Sequence, residues 1–179
     1  MSEQKKFTVD EIIKTAGLRD DAKTHIDFCR FLNDNGFLIE PEGHTEDNKS
    51  GWQIMHMNQC IGHINFSNAG IWIDTCDFGS GDSADDALKE TAWTHVRVCE
   101  HFSSGGKKCG CHDQPGLDKV ILGKNFKNLC FANLEFINPD AKTLENIRKL
   151  LLLFRQNRQK YHRAVKPSHY FCRRRSGVC

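Results

Sequence analysis

The sequence predicts an α+β fold: an antiparallel sheet, built from a meander plus later strands, with helices packed on one face and a Cys/His loop of metal-binding type. Three observations carry this expectation. Apolar residues recur at three- and four-residue steps over 20–35, 83–102 and 138–161, the rhythm of amphipathic helices. Short β-rich runs lie between them at 52–57, 60–66 and 71–76, then at 118–122 and 129–137. Strands and helices come in runs rather than in strict βαβ alternation. With 179 residues, the chain has the length of one domain, plus terminal segments. The expected division is an N-terminal arm over 1–19, a single α+β domain over 20–162 and a basic C-terminal tail over 163–179.

Each element has a local reason. Thr8-Val9-Asp10-Glu11 fits a capping box, so a short helix follows and stops at Gly17. Asp20 or Asp21 caps a second helix whose stripe is Ile26, Cys29 and Leu32, and Gly36 suits its C′ position. The polar stretch 41–51 reads as a loop. Asn58-Gln59 and Ser67-Asn68-Ala69-Gly70 are the links of the meander. In its third strand Ile71 and Ile73 share one face, and Trp72, Asp74 and Cys76 the other. Ser83-x-x-Asp86 opens a helix expected to reach Phe102, with His95 and Cys99 one turn apart. In the strand 129–137, Cys130, Ala132, Leu134 and Phe136 are expected on the apolar face. Asn138 and Pro139 read as the N-cap and first residue of the last helix.

Composition narrows the class. A chain that is 39% hydrophobic and 27% charged is neither collagen-like nor a disordered polyelectrolyte. The longest apolar run, Leu150 to Phe154, is far short of the ~20 residues that span a bilayer. No secretory h-region opens the sequence. These features predict a cytoplasmic protein with no membrane partner. The net charge of +2 hides an asymmetry: residues 142–179 carry eleven Lys/Arg and one acid, so the remainder is acidic. Arg163, Lys166, Arg173, Arg174 and Arg175 are the expected anion contacts, for an acidic partner or for weakly specific nucleic-acid binding.

Nine cysteines in such a chain point to reduced thiols rather than disulfides. Cys99, His101, Cys109 and Cys111 form a C-x-H…C-x-C pattern, two short ligand pairs separated by a flexible Ser/Gly/Lys loop. Thiolate and imidazole in fours suit tetrahedral zinc, here expected to be structural. His112, Cys130 and His95 are alternative ligands. A second candidate lies on the meander, where Trp52, His56, His63, Trp72 and Asp74 could line a small-ligand pocket of mixed apolar and polar character. No catalytic signature of a zinc protease, a deaminase, a serine hydrolase or a nucleotide-binding loop occurs.

The region 99–153 resembles a set of short bacterial proteins with no assigned activity. The residues that carry the resemblance are the Cys cluster, Pro115-Gly116, Gly123-Lys124-Asn125-Phe126-Lys127-Asn128-Leu129-Cys130 and Phe136-Ile137-Asn138-Pro139-Asp140. The resemblance implies a shared fold and no catalytic role. The functional expectation is therefore a zinc-binding domain acting as a non-enzymatic binding module for a small ligand or an acidic partner. The alternatives are a metal- or thiol-dependent enzyme and a nucleic-acid binder working through the basic C-terminus.

Overall fold

The structure, a computed structural model, describes residues 7–16, 23–42, 51–66, 70–74, 78, 81–99 and 116–164. The order is α1 (Val9–Ala16), α2 (Lys23–Asp34), β1 (Leu38–Pro41), β2 (Gly51–His56), β3 (Gln59–Asn65), β4 (Gly70–Ile73), α3 (Asp86–Thr94), β5 (Val96–Val98), β6 (Leu117–Ile121), β7 (Lys124–Ile137) and α4 (Ala141–Ala164). The seven strands form one antiparallel sheet in the order β1-β2-β3-β4-β7-β5, with β6 also paired to β7. The fold is α+β, as the run-wise order of elements predicts. Among the described residues, no helix is long and apolar enough to cross a membrane.

Alternation along the strands separates the two faces. One row across the sheet, Trp52–Ile64–Ile71–Phe136, is fully buried and joins Phe28 and Leu32 of α2 and Ile147, Leu151 and Phe154 of α4 in a single core. The next row, Glu40–Gln53–His63–Trp72–Glu135, points the other way and is half-buried. The helices therefore cover the apolar face, and the polar row lies opposite.

The capping box forms as its residues require: Thr8 N donates to Glu11 Oε2 (2.8 Å), and Glu11 N donates to Thr8 Oγ1 (3.2 Å). The helix it starts lies on the domain. Ile12 is fully buried, and the Phe7 ring meets Trp52 edge-on. Gly36 takes a left-handed φ of 76° after α2, the conformation for which a C′ glycine is chosen.

Four local expectations are corrected. Helix α3 ends at Thr94, not Phe102, because Val96 and Val98 pair with Leu134 and Leu129 of β7 as a strand. His95 and Cys99 are consequently not one helical turn apart. The cap of α3 is Asp85, whose Oδ1 accepts from Leu88 N at 2.8 Å. At α4 the capping acceptor is Asp140, taking a hydrogen bond from Thr143 N (2.7 Å), while Asn138 sits at φ 48° outside the helix. In β7, Leu129 and Leu134 are both buried despite opposite parity, so the strand changes phase between them and Cys130 is half-exposed, out of the core.

Candidate metal centre

The sequence of β3 dictates an unusual arrangement. Ile54 pairs with Gly62 but Met55 pairs with Cys60, so β3 carries one extra residue, Ile61. In an unbroken strand, residues three apart point to opposite faces. The bulge removes one alternation and brings Cys60 and His63 to the same face. Their Sγ and Nε2 atoms are 3.7 Å apart. Gly62 permits the close passage of β4, since a Cβ there would collide with the Trp72 carbonyl.

Asp74 completes the group from the end of β4. Its backbone N donates to the carbonyl of the bulged Ile61 at 2.9 Å. Its carbonyl accepts from Nδ2 of the fully buried Asn133, whose Oδ1 takes a hydrogen bond from Lys119 Nζ at 2.7 Å. So held, the Asp74 carboxylate, 6% exposed, sets Oδ2 2.8 Å from His63 Nε2 and 4.0 Å from Cys60 Sγ. Its other oxygen, Oδ1, is buried with no hydrogen-bond partner among the described residues. On the far side of the imidazole, Nδ1 faces Glu42 Oε1 at 3.4 Å.

Burial alone would lower the His63 pKa. Hydrogen bonds to Asp74, Cys60 and Glu42, together with the Asp74 charge, outweigh it and push His63 up to about 12. Glu42 moves down, chiefly through its hydrogen bond from His63. His63 is thus clasped between two carboxylates, Asp74 and Glu42, with the Cys60 sulfur beside it.

The same atoms suit a cation. The thiol, imidazole and carboxylate donors of Cys60, His63 and Asp74 all lie within 4.8 Å of one another. Donors around one tetrahedral zinc, with bonds of ~2.0–2.3 Å, stand roughly 3.3–3.6 Å apart. The Cys60–His63 distance of 3.7 Å is already near that spacing, while the Cys60–Asp74 distance of 4.0 Å needs to close by about 0.4 Å and the Nε2–Oδ2 contact to open by about 0.5 Å. Glu42 on Nδ1 would then act as the outer carboxylate that fixes a metal-bound imidazole.

The five residues expected to share a ligand pocket divide between the two faces. His63, Trp72 and Asp74 lie on the polar side. Trp52 and His56 lie on the helix side, Trp52 against Phe7 and Phe66, His56 against Phe37 and Phe154. Trp72 is the cross-strand neighbour of His63, its Nε1 donating to Glu135 Oε1 (2.8 Å) and Glu135 in turn pairing with Arg97 (3.5 Å). Of the expected loop cluster, Cys99 is buried and its backbone N donates to Asn128 O at 2.7 Å. His101, Cys109, Cys111 and His112 lie outside the described residues. His95 stacks on Phe136, with Nδ1 2.8 Å from Thr91 O. The anion contacts Lys166, Arg173, Arg174 and Arg175, and the side chain of Arg163, also lie outside the described residues.

Sequence reasoning singled out His63 and Asp74 as lining of a small-ligand pocket, not as metal donors, and missed Cys60 and the supporting Glu42. The available signal was Gly62, an isolated glycine within a strand pattern and so a bulge marker. No family model, no curated protein and no solved structure matches the chain.

Proposed function

We propose that this chain is a zinc-binding α+β domain in which Cys60, His63 and Asp74 hold one ion on the polar face of the sheet. The observation that carries the reading is the convergence of three different donor atoms within 4.8 Å. Zinc is the ion that both thiolate and imidazole favour. The described residues supply three protein ligands, and a fourth position left to a small exogenous ligand is the arrangement that separates a working centre from a closed structural one. The domain acts as a binding module through that position, in a reducing, cytoplasmic setting where free thiols persist. The loop ligands Cys99, His101, Cys109 and Cys111 would form a second, structural site.

A thiol-dependent enzyme is the competing reading, because Cys60 Sγ stands 3.7 Å from an imidazole that a carboxylate steadies from behind. It is less well supported. The nitrogen that would take the thiol proton is already held by Asp74 at 2.8 Å, so no free base faces Cys60 among the described residues.

The test is metal content and cobalt spectroscopy on the full chain, in a Cys109→Ser/Cys111→Ser background that removes two of the three thiols of the loop site. One equivalent of metal is expected, with a thiolate-to-cobalt charge-transfer band that Cys60→Ser abolishes. His63→Ala and Asp74→Asn should each lose tight binding while keeping their secondary structure. No metal in that background, or binding unaffected by all three substitutions, would overturn the proposal.

A further inference from the structure

We infer that Cys60 is an oxidative release point for this centre: a hydroperoxide oxidises its sulfur and the ion leaves. The inference rests on the zinc reading above. Cys60 is the sole sulfur in the proposed ligand set; it is partly exposed, as is Cys130 outside that set, whereas Cys29 and Cys99 are buried. Metal-bound thiolate is the nucleophilic form of the residue, and accessible thiolates are the sites that peroxides select.

Two features of the geometry make release complete and reversible. Once the sulfur no longer binds, only His63 and Asp74 remain, and these two have a stable arrangement of their own. Nε2 stands 2.8 Å from Oδ2 and Nδ1 faces Glu42 at 3.4 Å, so both imidazole nitrogens have carboxylate partners to hold them once the ion has gone. The ligands also stand on the face opposite the core row Trp52–Ile64–Ile71–Phe136, so emptying the centre leaves the packed side intact.

The chemistry balances. The thiolate attacks the terminal oxygen of a hydroperoxide. The S–O bond forms as the O–O bond breaks, and sulfur gives two electrons to the departing oxygen. That oxygen takes the hydroxyl proton, yielding cysteine sulfenate and one alcohol, or water from hydrogen peroxide. Two equivalents of a low-molecular-weight thiol reverse the step: the sulfenate takes a proton from solvent to become the sulfenic acid, the first thiol displaces water from it to form a mixed disulfide, and the second releases the Cys60 thiol and a disulfide.

The experiment uses the zinc-loaded full chain in the Cys109→Ser/Cys111→Ser background, treated with equimolar hydrogen peroxide and a chromogenic zinc indicator. Dimedone trapping and peptide mass spectrometry locate the sulfenate. One equivalent of zinc is expected to leave, with the adduct at Cys60, unchanged far-UV circular dichroism, and recovery after a thiol and zinc are added. Cys60→His, which keeps a donor but has no oxidisable sulfur, should slow release at least tenfold. Zinc retained after peroxide, an adduct found elsewhere, or release only with unfolding would overturn this inference and leave the zinc reading standing. Failure to load zinc before peroxide is added would overturn both.

Discussion

Cys60 and His63 are three residues apart in one strand, yet their side chains meet on the same face, with Sγ 3.7 Å from Nε2. A single inserted residue, Ile61, produces this relationship, and Gly62 beside it lets β4 run close enough to bring Asp74 alongside. The centre is thus a property of strand register rather than of a loop motif.

Gly62 is the position where that register can be tested. A Cβ there meets the Trp72 carbonyl, so β3 and β4 must move apart in a Gly62→Ala protein. Overpacking of this kind costs about 1–3 kcal/mol. Because His63 and Asp74 sit on the two displaced strands, zinc affinity should fall as well. Urea unfolding of the metal-free protein and a competitive zinc titration measure the two effects. Wild-type values in both would mean that the strands tolerate the methyl group and that glycine is not needed there.

The fold was legible because most elements have strong local signals. The Thr8/Glu11 box, the stripe of α2 and the Ile71/Ile73 alternation each report a nearby hydrogen bond or a buried face. What escaped depended on partners distant in sequence. Val96–Val98 continues the rhythm of α3 and becomes a strand only because β7 offers it a ladder, and Leu38–Pro41 is too short to stand out without β2. The site was half legible for the same reason. His63 and Asp74 stood out as polar groups in apolar strands, but an unbroken alternation assigns Cys60 to the opposite face. Glu42 looked like one more acid in a polar loop, since nothing local to it indicates an imidazole 3.4 Å away.

Cys29 separates core thiols from the thiol of the centre. It is fully buried in α2, and burial pushes its pKa from 9.0 up to about 12. The folded protein keeps this proton where the unfolded chain loses it. The resulting stability is therefore complete below about pH 9 and is lost as pH rises through the folded value near 12. Cys29→Ala should be less stable than wild type at neutral pH, through lost packing, but should show a shallower decline in stability between pH 9 and the alkaline limit of folding. Chemical denaturation at a series of pH values gives both curves, and parallel declines would show that Cys29 does not titrate as its burial requires. Iodoacetamide should modify Cys60 well before Cys29 in the native metal-free protein.

Glu42 tests whether the imidazole is built to hold a metal or only to hold Asp74. Its Oε1 lies 3.4 Å from Nδ1, on the side of the ring away from both Cys60 and Asp74, so it is outside the proposed ligand set. If Nε2 binds zinc, Glu42 fixes the ring orientation and raises the donor strength of the imidazole. Loss of such an outer carboxylate typically weakens binding about 10–100-fold. Glu42→Gln preserves length and an acceptor oxygen but removes the charge, so a loss near ten-fold is expected. Glu40→Gln, two residues earlier on β1 and paired with Gln53 rather than with His63, is the matched control and should leave affinity unchanged. Competition against a chelator of known zinc affinity, at fixed pH and ionic strength, measures both variants. Equal losses in the two would reduce the effect to general surface charge. A loss confined to Glu42→Gln would identify the carboxylate–imidazole pair as part of the metal centre.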